Sequence, residues 1–411
     1  MSFADSLPVP TRTAYYWDVR FMISEEIFQG ICYGMLSFVA RKTIGISEFQ
    51  LALILMAAFV GPLLSVFIPN LLKIHGKIQY ILCMSIPCKL IFIGLAWIHD
   101  PVWFCWIAAA GLFFIFTYIP MYAALLKSMY PSSLRGTIQG HVRFISLTVT
   151  VAATLTAGFL LNINGQYFRV IFILASIAGL IGTVLLVRIP EQFRGKEEGK
   201  SIAPLRDVVE AARSDRLYIG YEIAFFLGGF ANLAGTPIYV LYIVDVLNAD
   251  YMQIALTAGI LINVAGVLTL RWWGRALDRH PNPMLQRMIL HGLWLFHPLL
   301  YAWAWDMKLV YAASLLLGFL FAGGKINFML GCLFFSSTDR DAPVYTMIHH
   351  VFWGVRGILG PLFGYALYRS FGFFPTFYIL SAIMAASSFM MFLLYRRTRH
   401  DCRFSASSSS S

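Results

Sequence analysis

About twelve apolar stretches, each long enough to cross a lipid bilayer, run through this chain of 411 residues with only short polar breaks between them. A helix rises 1.5 Å per residue, so roughly 20 apolar residues span the hydrocarbon. Segments such as Gln50–Pro69, Val102–Leu126 and Tyr311–Phe335 meet that length with at most one formal charge apiece. The expected fold class is an all-α polytopic membrane protein. A chain that is 59% hydrophobic and only 12% charged could not assemble a water-exposed surface.

Spans are expected near 20–40, 48–69, 78–98, 102–127, 137–162, 168–188, 217–245, 251–271, 284–305, 309–335, 343–368 and 374–395. An even number puts both termini on one side. Alternate breaks collect Lys73 and Lys77, Lys127 and Arg135, the run from Arg188 to Arg216, then Arg271, Arg275, Arg279 and Arg287, then Arg340, and finally Arg396, Arg397, Arg399 and Arg403. The opposite breaks hold only Arg41, Lys42, Lys308 and Arg369. Basic loops stay cytoplasmic, so both termini are expected there, with the chain multi-pass in a cell membrane, a bacterial inner membrane by preference. The formal charge of +11 is thereby assigned to topology rather than to nucleic acid, because the basic residues are dispersed over loops instead of gathered on one face. The polar stretch Met1–Ala14 and the early Glu25 and Glu26 argue against a cleaved signal peptide.

The longest break, Ile189–Arg216, is charged, carries Pro190, Gly195 and Pro204, and has room for a short amphipathic helix around Leu205–Ala212. The expected organisation is a cytoplasmic segment over 1–19, a six-helix bundle over 20–188, a cytoplasmic linker over 189–216, a second bundle over 217–396 and a tail over 397–411 whose serine run reads as disordered. Sliding one half on the other pairs Glu48 with Asp250, Gly61 with Gly266, His75 with His280, Ser133 with Ser337 and Leu174 with Leu380, at a nearly constant shift. That order indicates a duplicated six-helix unit.

After the eighth span comes Gly274-Arg275-Ala276-Leu277-Asp278-Arg279, a G-x-x-x-D-R string expected in a tight basic loop. Arg135-Gly136 with Gly140 and Arg143 stand where a fifth helix begins, and Arg356-Gly357-Ile358-Leu359-Gly360-Pro361 lies in the eleventh span. These strings resemble those of the major facilitator superfamily. The resemblance implies twelve helices in two pseudo-symmetric bundles, helices one, four, seven and ten lining a pathway, and a gate at Gly274, Asp278, Arg279 and Arg135. The matching first-half loop, Pro69–Lys77, lacks both the glycine and the acid, and span five lacks the Gly-Pro pair of drug antiporters. Physically, Asp278 can accept backbone N–H bonds at a helix start, the expected partner being the beginning of span five near Ser133–Thr137.

Ionisable groups at membrane depth are costly and tend to face a bundle interior. Glu25, Gln29, Tyr33 and Ser37 step by four along span one and share a face expected to line the cavity; interfacial carboxylates, or a pair with a loop arginine, are the alternative for Glu25 and Glu26. Lys325 and Arg356 sit mid-span, where an anionic substrate or a partner such as Glu25 or Glu222 should meet them; Lys89, equally deep, is assigned a structural role. Tyr118, Tyr122 and Asn232 complete the substrate-binding candidates, with Asn327 and Trp353 as weaker ones. Glu25, Glu26, His349 and His350 are candidates to carry a coupling proton.

No phosphate-binding loop, nucleophile–base pair or metal-ligand spacing occurs in the sequence, so no enzyme, metal or cofactor is expected. The expected function is secondary active transport of a small organic solute by rocking of the two halves, as a monomer in contact with membrane lipid. The excess of deep positive groups in the second half favours an organic anion over a cation, and the expected transport class includes symport. A neutral, sugar-like solute or a receptor that has lost transport are the alternatives.

Overall fold

The computed structural model describes residues 7–65, 68–72, 74, 76–194, 210–211, 213–279, 282–331, 333–335 and 342–399. Among them the backbone forms twelve helical rods: α1 (9–44), α2 (Glu48–Leu64), α3 (Lys77–Leu95), α4 (Pro101–Met129), α5 (Ser132–Ile163), α6 (Gly165–Arg188), α7 (Arg216–Val246), α8 (251–279), α9 (283–302), α10 (Met307–Leu330), α11 (Ala342–Phe371) and α12 (Phe373–Thr398). Eight of them, α3 to α8, α10 and α12, contain windows long and apolar enough to cross a membrane. Rod α2 is apolar but shorter. The other three, α1, α9 and α11, carry buried ionisable residues, among them Glu25, Arg287, His349 and Arg356. The fold is that of an all-α polytopic membrane protein with twelve helices.

Contacts divide the chain into two units, Met1–Lys200 with Asp250–Gly259, and Ser201–Ala249 with Ile260–Ser411. Within the first unit α1 packs on α5 and α6, α2 on α4, and α3 on α6; within the second α7 packs on α11 and α12, α8 on α10, and α9 on α12. The same pairing therefore recurs six rods later. Local geometry repeats as well. In α1 a π-helical turn, Ala40–Ile44, ends at Gly45 with φ of 78°, and the Ile46 N–H reaches back to the Ala40 carbonyl at 3.1 Å. In α7 the turn Tyr242–Val246 is followed by Asn248 with φ of 50°, and the Ala249 N–H reaches the Ile243 carbonyl, again at 3.1 Å. Glycine and asparagine are the residues that tolerate this left-handed backbone best.

The next rods then start alike. Ser47 and Gln50 form a reciprocal capping box on α2, as do Asp250 and Gln253 on α8. The structural partner of Asp250 is thus Ser47, one residue before the Glu48 expected from sequence. Of the paired glycines, Gly61 is required by a close approach to the Phe113 carbonyl of α4, whereas a Cβ at Gly266 would make only ordinary contact, 3.5 Å from the Gly318 carbonyl of α10.

Three sequence expectations change. Helix α1 starts at Val9, so much of the expected N-terminal segment is already helical. Helix α8 runs through Arg279, which makes the Gly274–Arg279 string the end of a helix rather than a loop. Arg287, assigned to a cytoplasmic break, is 3% exposed inside α9, where Asn282 accepts N–H bonds at the helix start. The expected short helix over Leu205–Ala212 lies outside the described residues except for Glu210 and Ala211.

Candidate functional site

Each unit holds a buried cluster of polar side chains, and the two are built differently. In the first unit, Glu25 on α1 meets Lys89 on α3, with Oε2 2.8 Å from Nζ. Its other oxygen accepts from the Tyr118 hydroxyl at 2.7 Å and from Gln29 Nε2 at 3.1 Å. Lys89 also donates to Ser85 Oγ at 2.6 Å, and Ser85 is bonded to Thr183 at 3.0 Å. The ammonium lies 4.7 Å from the centre of the Phe28 ring and 5.5 Å from that of Tyr118. Tyr118 reaches this point because α4 breaks at Phe116–Tyr118, just before Pro120, whose ring permits only a helix start. Both charges are buried and each faces its opposite.

Glu25 therefore pairs with neither a loop arginine nor Lys325 or Arg356, and the structural role assigned to Lys89 is that of its counter-charge. Glu26 accepts from Thr150 Oγ1 at 2.7 Å on α5. Tyr33 is partly exposed, edge-on to Phe116 at 5.1 Å. Tyr122 donates to Asp18 at 2.6 Å, and Tyr130 donates to the other oxygen of the same carboxylate at 2.5 Å. Asp18, fully buried, was not among the sequence candidates because it was counted with the polar N-terminus. Its spacing of seven from Glu25, two helical turns on one face, was the available signal.

In the second unit, Glu222 on α7 and His349 on α11 are both fully buried, with Oε1 and Nδ1 2.8 Å apart. Two guanidiniums lie close by. Arg356 of α11 donates through Nη1 to the Phe225 carbonyl at 2.9 Å, and Arg287 of α9 donates through Nε to Asn327 Oδ1 at 2.7 Å. Their carbons stand 4.3 and 4.1 Å from the centre of the Phe225 ring. Tyr221 also donates to Asn327, at 3.2 Å. A side chain at Gly229 would overlap the Arg356 guanidinium, so that glycine is what lets the cation lie against α7. Four polar atoms here have no hydrogen-bond partner: Arg287 Nη2, Arg356 Nε, His349 Nε2 and Glu222 Oε2. Among the described residues neither arginine forms an ion pair with a carboxylate.

The remaining candidates lie elsewhere. Asn232 accepts from the Trp294 indole at 3.1 Å. His350 is exposed, its Nδ1 2.8 Å from the Thr346 carbonyl, and Lys325 is exposed on α10. Arg135 donates to the Tyr130 and Lys127 carbonyls and so closes the end of α4. Gly274 and Arg279 are helical, and the side chain of Asp278 lies outside the described residues.

A profile of the Major Facilitator Superfamily matches residues 26–347. The chain belongs to this superfamily. Its members are transporters, not enzymes, that bind small-molecule substrates and typically act as monomers, so the chain is a multi-pass membrane transporter. Among curated proteins it is similar to Multidrug resistance protein MdtG of Escherichia fergusonii, 24% identical over 315 residues that make up 75% of each chain. The protein of that name from Salmonella typhimurium is 24% identical over 321 residues, 77% of each. Among solved structures, nucleoside transporter NupG superposes with a TM-score of 0.69 at 12% identity, covering 93% of this chain and 99% of that one. A POT family transporter in complex with a thioalcohol-conjugated peptide gives 0.71 at 11% identity, covering 94% and 96%. These superfamily structures share the fold of the chain.

Proposed function

We propose that the chain is a secondary active transporter of a small organic anion, with the Arg287–Arg356 cluster of the second unit as the anion-binding site and rocking of the two units as the means of alternating access. The observation that carries this reading is the pair of buried guanidiniums with open N–H groups and no carboxylate bonded to them. Two buried cations that share a single nearby carboxylate, Glu222, leave an excess positive charge that is costly in an interior. A carboxylate or phosphate oxygen is the acceptor their geometry suits best. Glu25 and Lys89 neutralise each other in the first unit, so that cluster adds no net charge. Both termini and the 189–216 linker are cytoplasmic in this reading, on the strength of the loop charges. The gating role of Asp278, Gly274, Arg279 and Arg135 belongs to the same proposal.

Counterflow of labelled benzoate, succinate and glucose in proteoliposomes tests the substrate class. Exchange of a carboxylate that Arg356→Ala abolishes is the expected result; exchange of glucose alone, unaffected by that change, would overturn it. The curated relatives are named for multidrug resistance, which favours a second reading, transport of varied drugs, and drug resistance gained by cells that express the chain would support it. For sidedness, a cysteine at Gly199→Cys should resist an impermeant reagent in intact cells while one at Asn248→Cys reacts.

A further inference from the structure

Resting on the anion-site reading, we infer that Glu222 and His349 form a proton-holding pair that keeps the second-unit cluster electrically neutral, so that a dicarboxylate is bound together with one proton and a monocarboxylate with none. The pair is joined through Glu222 Oε1 and His349 Nδ1, and each partner keeps one open polar atom, Oε2 and Nε2. It can therefore exist with one proton shared between the two groups, carrying a single negative charge, or with a second proton, carrying none.

The charges that face Glu222 are few. Arg356 and His349 come from α11, and Arg287 and His291 from α9. His291 is tied to Ser387, the hydroxyl that α12 presents to the cluster and that donates in turn to the Ala224 carbonyl. Tyr221 is the neighbour on α7 itself, and α10 supplies the neutral Asn327, with Lys325 two residues away and exposed. Among the described residues, the buried set therefore holds two fixed positive charges against one carboxylate. With the pair singly protonated the cluster is one charge positive, and a monocarboxylate completes it. A dicarboxylate overshoots by one charge, and in a poorly screened interior the cheapest correction is uptake of a proton by the neighbouring pair. By linkage the proton then strengthens the anion and the anion strengthens the proton.

Calorimetric titration of the full-length protein in detergent, in buffers of different ionisation enthalpy, counts the protons taken up with benzoate and with succinate. Between about pH 7 and 8, where both anions are fully ionised, succinate should bring about one proton into the protein and benzoate about none. Succinate affinity should rise as pH falls, by at most about tenfold per unit, while benzoate affinity stays level. Glu222→Gln should abolish the proton uptake that accompanies succinate. Equal proton counts for the two anions in the unmodified protein would overturn this inference and leave the anion site standing. Failure of both anions to bind would remove the anion reading, and this inference with it.

Discussion

The two units repeat the same rod pairing yet solve the problem of buried charge in opposite ways. In the first, Glu25 and Lys89 face one another at 2.8 Å and their remaining bonds go to Tyr118, Gln29 and Ser85, which closes the electrostatics within the unit. In the second, the carboxylate is taken by His349, and two guanidiniums keep open N–H groups beside one phenyl ring. A closed pair holds helices together. An open pair of cations costs stability unless a ligand completes it. The scaffold occurs twice, and in the proposed reading the side chains separate the roles of the two halves.

The largest expected effect breaks the closed pair. Lys89→Met strands the Glu25 carboxylate in an apolar bundle and should lower stability by about 3–5 kcal/mol. The midpoint of thermal unfolding in detergent reads it, and adding Glu25→Gln should restore most of the loss. The same measurement on Arg287→Met sharpens the contrast: its shift should be much smaller or of opposite sign, because the change removes the excess positive charge that the single carboxylate, Glu222, leaves uncompensated. Equal losses for the two changes would mean that both clusters are structural.

Next in size is Gly229→Ala. The new methyl forces the Arg356 guanidinium off α7, and overpacking of this kind costs about 1–3 kcal/mol. Carboxylate exchange should fall with it. An unchanged melting point and unchanged exchange would show that Arg356 does not lie where it is described.

Transport itself gives the third test. Arg356→Ala should cut uptake of a carboxylate by tenfold or more, on the order of 1.4 kcal/mol. Lys325→Ala is expected to act in the same direction if its exposed ammonium guides the anion. Should both variants transport normally, the two clusters do not differ in function and a neutral solute replaces the anion.

The smallest effect probes what the units share. Ser47→Ala and Asp250→Ala each remove one side of a capping box and should each cost about 0.5–2 kcal/mol. Closely matched losses support the equivalence of the two helix starts, whereas a marked difference would show that the repeat has diverged there as well.

Lipid solvation and periodicity made much of this protein legible in its sequence. Twelve long helices follow from the run lengths, because a backbone in hydrocarbon must satisfy its own hydrogen bonds. The duplication was visible in the nearly constant shift between matched positions, although the pairing of Glu48 with Asp250 was one residue out because Ser47 caps the first of the two helix starts. Glu25, Lys89, Arg356 and His349 stood out because ionisable groups in apolar runs are rare. Their partners did not. Sequence places Glu25 and Lys89 on different spans, and only the packing of α1 and α3 within one bundle decides that they meet while Arg356 finds a backbone carbonyl instead. Arg287 was misplaced in another way: the expected span over 284–305 contained it, yet its charge was counted with the loop, and only the packing of α9 shows it buried. Asp18 was hidden in a polar segment that folds into the first helix and turns its carboxylate toward Tyr122 of α4 and Tyr130 just past its end. Composition and spacing determined the class of fold and the family. Tertiary packing decided which charges are neutralised and which stay open, because pairing depends on distances between helices that no single helix records.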